Sequence, residues 1–318
     1  MLEHAGSSEA RVFGEVANLG RELQRLGTQT LGGRVQAKVA LVFDWENWWA
    51  VEYMSGPNRD LTYLPICQAY FSALHEQGIT CDIVAPEADL STYSVVIAPV
   101  LYMARSDLAP RVGAYVASGG TFLTTFLSGV ADECDSVYPG GYPGPFRPLC
   151  GIWVDEVDAL HSAEFNSAVF ETPFGEARGA LPCGLICERL HLEGARALAV
   201  YGADFYAGEP IFTCNQWVNG QAYYLASFLS GPGLQQVLRE VCARAGVEPL
   251  LAVIPENIEI TCRRSPNGES LYYVLNHSGH ANRVSLPATG YQDLLTGGHC
   301  DGSLELAPYG VAILRGPQ

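Results

Sequence analysis

Val39–Glu52 reads VALVFDWENWWAVE, and the fold of the chain hinges on that stretch. Val39–Phe43 is an unbroken apolar run, followed at once by Asp44, Trp45, Glu46, Asn47, Trp48 and Trp49. A short apolar run closed by polar residues reads as a strand buried on both faces, as in parallel sheets. The six residues after it then stand at the strand's carboxyl end, where open α/β sheets carry their sites. Three of the chain's five Trp fall between positions 45 and 49. One reading is a hydrophobic plug beneath a loop. The other is a ring-stacking rim with carboxylates and an amide beside it, a chemistry that suits a sugar. No glycine-rich turn follows to cradle a phosphate, and acids there would repel one, so neither a flavin nor any other cofactor is expected.

Upstream, Ser7–Leu26 has apolar residues at helical spacing (Val12, Val16, Leu19, Leu23, Leu26), with Ser7 or Ser8 as cap and Gly27 as stop. A helix placed before the first strand needs a surface of its own to pack on, which points to a preceding domain. Downstream, helices over Leu64–Gln77 and Ser106–Ala117, the latter capped by Ser106, alternate with strands at Ile79–Ala85, Ser94–Ala98 and Thr121–Phe126. That alternation predicts an α/β, parallel sheet domain with helices on both faces, flavodoxin-like or class I glutamine amidotransferase-like. The turn after the third strand, Pro99–Tyr102, holds no Cys or Ser, so amidotransferase chemistry is not expected.

Leu127–Pro148 is a Gly/Pro/acid-rich connection too long to be idle and reads as an ordered excursion. Short strands at Glu188–His191 and Ala197–Tyr201, a hairpin of Ile211–Trp217 with Gly220–Ser227, and a helix over Gly233–Ala245 follow. Past Pro249 come short strands at Ile258–Arg264, Ser270–Asn276, Arg283–Leu286, Gln292–Leu294 and Val311–Arg315, which predict a small all-β sandwich. The expected division is 1–35, a terminal helix and linker; 36–248, the sheet domain; and 249–318, the β-sandwich.

The 318 residues are 48% apolar and 16% charged, a composition that forms a core. A net charge of −16 argues against nucleic acid or an anionic membrane as partner. Ten Cys occur without a C-x-x-C; the closest pair is Cys183 and Cys187, and no zinc spacing is present, so no metal is expected. Cys67 and Cys242 sit in apolar runs, as buried reduced thiols do, and the first twenty residues lack a signal-length apolar core, so a cytoplasmic protein is expected. His277 and His280 read as loop residues. The carboxylate pairs Asp44/Glu46, Glu133/Asp135 and Asp155/Glu156 read as solvated or turn-capping acids.

Several runs together carry a family resemblance. MLEHAG (Met1–Gly6), VFDWENWWAVE (Val42–Glu52) and SGGTFLTTFLSGVADECDSVYPGGYPGPFRPLCGIWVDEVDAL (Ser118–Leu160) are similar to glycoside hydrolase family 42 β-galactosidases, as is the β region from Leu250. The resemblance covers essentially the whole chain. It implies a homotrimeric enzyme that removes terminal β-D-galactosyl residues with retention, using two Glu on a TIM barrel. Residues 1–35 then resemble the end of that barrel, 36–248 the trimerisation domain and 249–318 the C-terminal domain. Such a barrel takes roughly 250 residues, of which the last stretch alone is expected here, so both catalytic Glu fall outside and no catalytic residue is assigned. Asp44, Trp45, Glu46, Asn47, Trp48 and Trp49 are expected at the rim of a substrate pocket. The function implied is the non-catalytic part of a β-galactosidase that self-associates and takes a β-galactoside in the complete enzyme. The alternative is a stand-alone carbohydrate-binding or amidotransferase-like interaction module.

Overall fold

The computed structural model describes residues 7–54 and 56–317; Met1–Gly6, which carries part of the resemblance, lies outside the described residues. The chain divides into two compact units. One is Ala37–Glu248, and the other joins the N-terminal helix α1 (Arg11–Thr30) to the segment from Pro249 onward.

In the first unit, β1 (Val39–Val42) runs into α2 (Trp45–Tyr53) and α3 (Tyr63–His75). Next come β2 (Cys81–Val84), β3 (Val95–Ala98), α4 (Leu108–Ala117) and β4 (Thr121–Thr125). Every residue of β1, β3 and β4 is buried, as strands covered on both faces require. The chain then passes through α5 (Arg147–Cys150) to β5 (Ile152–Ala159), β6 (Asn166–Phe174), β7 (Ala177–Leu192) and β8 (Arg196–Tyr201). It closes with β9 (Pro210–Trp217), β10 (Gly220–Leu225), β11 (Ser227–Leu229) and α6 (Gly231–Arg244). These form one 11-stranded sheet in the order β11-β7-β6-β8-β9-β10-β4-β3-β1-β2, with β5 beside β7.

The sheet is mixed, which corrects the expectation of a parallel one. It is parallel from β10 through β4, β3 and β1 to β2, and antiparallel from β10 to β9 and beyond. The reason is connection length: Val218–Asn219 turns β9 straight into β10, and a two-residue turn can only reverse direction. The expected short strand at Glu188–His191 is the tail of the 16-residue β7, which pairs with β6 along its first half and β5 along its second. Sequence reading passed over β5, whose apolar run is broken by Asp155, Glu156 and Asp158, and β6, which is interrupted by Glu171, Thr172 and Pro173. The excursion after β4 is ordered: Gly129 N donates to Leu101 O (2.8 Å), Val130 N to Tyr102 O (2.9 Å) and Ala104 N to Ala131 O (2.8 Å). Those bonds lock it against the turn that follows β3. Two helix starts also shift. α4 begins after Asp107 and not at Ser106, whose backbone N donates to Glu133 Oε2 (3.1 Å); α6 begins at Gly231, two residues early.

The second unit holds β12 (Ile258–Arg264), β13 (Ser270–Asn276), β14 (Asn282–Ser285), β15 (Tyr291–Asp293), β16 (His299–Cys300), β17 (Ser303–Leu306) and β18 (Val311–Arg315). They form a five-stranded sheet, β12-β13-β18-β15-β16, and a separate pair, β14-β17. Ile260, Val274 and Leu314 of the larger sheet share one buried cluster with Val284 and Leu304 of the pair. α1 is tied to this unit by Arg25 Nη2 to Leu295 O (2.7 Å) and Arg315 Nη2 to Gln29 Oε1 (2.6 Å). It starts at Arg11 with no side-chain cap, not at Ser7 or Ser8, and runs through Gly27 to Thr30. One Gly inside a helix costs only about 1 kcal/mol relative to Ala, so it need not end the helix. Only Leu26 of its apolar stripe is buried; Val16, Leu19 and Leu23 stand exposed. Among the described residues no helix is long and apolar enough to cross a membrane.

Candidate functional site

The stretch after β1 is a helix. Asp44 is its N-cap: the backbone there is extended, and the carboxylate accepts from Glu46 N (3.0 Å), which starts α2 with no intervening loop. Once helical, the stretch divides by face. Asn47 and Val51 point inward and are buried. Asn47 Nδ2 donates to Val100 O (2.8 Å), and its Oδ1 accepts from Met103 N (2.8 Å). The turn these bonds hold contains Val100 at φ 46, a left-handed conformation that a β-branched residue adopts only when its surroundings impose it. Thr125 Oγ1 supplies a further restraint by accepting from Val100 N (2.8 Å).

Asp44 and Glu46 converge on Arg105, at 3.1 and 2.8 Å, and Glu87 pairs with the same guanidinium. Burial holds the Asp44 carboxyl above its ordinary pKa, against the pull of Arg105. Trp48 is half-buried and sits in an aromatic group with Phe43 (6.0 Å, edge-on) and Trp45 (5.3 Å), and Phe43 in turn meets Tyr63 (5.4 Å). Its indole Nε1 donates to Glu52. On the outer side, Trp45, Trp49 and Tyr53 follow one another at helical spacing and are 59%, 63% and 92% exposed. An open groove of about 770 Å³ lies along this side, walled by Glu46, Trp49, Glu52, Tyr53, Glu133 and Asp135. Rings that offer a flat face, beside carboxylates that accept hydroxyl protons, can stack on and grip a neutral polyol.

A second acid lies inside the sheet. Glu188 is fully buried; its Oε1 accepts from Leu127 N (2.7 Å) and its Oε2 from the Tyr224 hydroxyl (2.7 Å). Burial raises its pKa to about 7, against the two hydrogen bonds that lower it.

Residues 37–248 match the beta-galactosidase trimerisation domain family, and residues 257–316 match the beta-galactosidase C-terminal domain family. The chain belongs to the glycoside hydrolase family 42 β-galactosidases. Among curated relatives, beta-galactosidase BgaP of Planococcus sp. (strain L4) is 45% identical over 314 residues, 99% of this chain and 46% of its own. Beta-galactosidase LacZ of Lactobacillus acidophilus is 39% identical over 302 residues, 93% of this chain and 44% of its own. The solved beta-galactosidase from Bacillus circulans sp. alkalophilus superposes with a TM-score of 0.95 at 44% identity, covering 99% of this chain and 46% of that one. The chain thus spans about half the length of the relatives it matches, and its two regions are the family's trimerisation and C-terminal parts.

Within this family member, the six residues singled out in sequence fall on one short helix but do not act alike. Trp45, Glu46 and Trp49 are open to solvent, Trp48 is packed, and Asp44 and Asn47 are buried with their polar atoms engaged by the protein itself. Sequence reading missed Arg105, which neutralises Asp44 and Glu46 from 61 and 59 positions away, and no local signal could have paired them. It also missed Tyr53, whose place in the stripe shows only when the stretch is taken as a helix. Glu133 and Asp135, read as solvated acids, border the same groove.

Proposed function

We propose that this chain is the non-catalytic, self-associating part of a larger β-galactosidase that releases terminal β-D-galactosyl residues with retention. The observation that carries this is the match of residues 37–248 and 257–316 to two domains that accompany each other in relatives about twice as long. Galactosidase chemistry needs two carboxylates spaced across a sugar. Here Asp44 and Glu46 share Arg105, which suits a structural ion cluster better than an acid/base pair. The self-association is read as a homotrimer after the trimerisation-domain family. A cyclic trimer joins two different faces of each copy. Trp45, Glu46 and Trp49 are read as the rim of the sugar site in the complete enzyme. The parallel part, ordered β2-β1-β3-β4-β10, supports a flavodoxin-like core, and ten free cysteines support a reducing, cytoplasmic setting. The domain limits follow as 36–248 for the trimerisation domain and 249–318 for a C-terminal β-sandwich.

Light scattering and an aryl β-galactoside assay on the purified chain test the reading. A trimer without turnover is expected. A stable monomer at micromolar concentration overturns the self-association. Turnover blocked by a galactosidase inhibitor would place catalysis within this chain and direct attention to Glu46, Glu133 and Glu156.

A further inference from the structure

Cys183 and Cys187 are the closest pair of cysteines in sequence, and the fold brings them closer than their spacing implies. In an unbroken strand, residues four apart stand about 13 Å from each other. β7 is broken between them. Cys183 lies opposite Leu229 and Gly184 opposite Phe228, but Cys187 lies opposite Ser227, so two residues are folded out of register. Leu185, one of the two, sits at φ 69. The two cysteines therefore stand only two partner positions apart and on the same face of the sheet. That spacing is about 6.6–6.8 Å between Cα atoms, at the upper end of what a disulfide spans.

Cys187 Sγ lies 3.7 Å from the Ser227 hydroxyl, and Ser227 belongs to the β11 strand that pairs with both cysteines. The Cys183 thiol has the largest effect on Cys187: it holds the Cys187 pKa below the ordinary thiol value, against burial, with help from Ser227 and Tyr206 and opposition from Asp158. A lowered pKa marks the thiol that serves as nucleophile. Both residues are buried, but Cys183 lines a pocket of about 260 Å³ that also meets Asn58, His161, Phe165, Leu185 and Phe228. That volume admits a small neutral oxidant and excludes a protein or a bulky disulfide.

We propose that Cys183 and Cys187 form a redox-convertible dithiol, closed to an intrachain disulfide by small hydroperoxides entering this pocket. With hydrogen peroxide, the thiolate attacks one peroxide oxygen. An S–O bond forms, the O–O bond breaks, and hydroxide leaves as water after taking a proton. The second thiol then attacks the sulfenic sulfur: S–S forms, S–O breaks, and a second water leaves. Two thiols lose two electrons and two protons, and the peroxide is reduced to two waters. A dithiol reductant reverses the step by thiol–disulfide exchange.

Trypsin provides a clean readout, since Arg178 and Arg189 bracket a peptide, Gly179–Arg189, that holds both cysteines and no other. The full chain is treated with hydrogen peroxide, quenched with iodoacetamide under denaturing conditions and digested; exposed Cys134 marks the effective dose. The expected result is a Gly179–Arg189 peptide lighter by two hydrogens, without alkylation, restored by dithiothreitol. In Cys183→Ser that species is lost. Phenylarsine oxide, which bridges two nearby thiols with loss of water, is expected to shield both from alkylation in untreated wild-type protein. Two alkylated cysteines at a dose that oxidises Cys134 would overturn the proposal, as would separate sulfinic acids at the two positions. Failure of the arsenical to shield them would do the same without depending on any variant.

Discussion

The outer face of α2 and the interior around Glu188 invert the usual partition in opposite senses. On α2, Trp45, Trp49 and Tyr53 stand in solvent. At the junction of β7, β10 and the chain leaving β4, a carboxyl group is fully buried. Exposed scattered apolar residues are ordinary, but a large aromatic stripe and a buried acid are each informative. The difference between them is one of partners. Glu188 has its hydrogen-bond partners within the chain, so its position is internally explained. In the α2 stripe Trp45 meets Phe43 and Trp48 by its ring edges and faces, while Trp49 and Tyr53 turn most of their surface to solvent. Asn47 separates the two regimes: it is the polar residue of α2 that faces inward, and its amide is fully engaged.

The comparison predicts the largest effect at Asn47. Asn47→Ala leaves Val100 O and Met103 N without their partner, each at about 1–3 kcal/mol for a buried group, and lets the strained Val100 turn relax. A loss of about 4 kcal/mol in urea unfolding, followed by tryptophan fluorescence, is expected. A loss within experimental error of zero would show that the turn does not depend on α2.

Glu188 comes next and is read through pH. Its folded pKa, about 7, lies above the ordinary value of 4.5, so the folded state holds the proton more tightly than the unfolded chain. Its contribution to stability is complete below about pH 4.5, declines as pH rises, and levels off above about pH 7, a fall of roughly 3 kcal/mol. Glu188→Gln keeps the shape and removes the titration, so the difference in stability between wild type and variant should follow that slope. A difference that stays constant from pH 4 to 8 would mean Glu188 remains ionised when buried.

Trp48 and Trp49 test the two faces at adjacent positions. Trp48→Ala removes a half-buried ring packed on Phe43 and Trp45 and should cost about 2 kcal/mol, less than a fully buried Trp. Trp49→Ala removes a ring that is mostly in water and should change stability by less than about 0.5 kcal/mol. In the complete enzyme it should raise KM while leaving Tm unchanged, as the loss of a binding contact does. If Trp49→Ala lowers Tm as much as Trp48→Ala, the stripe is part of the packing and the rim reading fails.

Local pattern alone was enough for β1, β3 and β4, each a short run of buried residues, and for α3, α4 and α6, each with apolar positions at helical spacing. Motif similarity was enough for the family. These features repeat within a turn or a few residues, and side-chain burial at that range follows from period and end signals that a sequence displays. What tertiary structure decided depends on partners far apart along the chain. It turned VFDWENWWAVE from an exit loop into a helix whose faces diverge. It brought Arg105 to Asp44 and Glu46, Tyr224 to Glu188, and Asn58 to Leu185. It made β7 one strand shared by β5, β6 and β11, and its register break set Cys183 beside Cys187. None of these pairings leaves a trace in local period or composition, because each is selected by what the rest of the sheet leaves unpaired once it has formed.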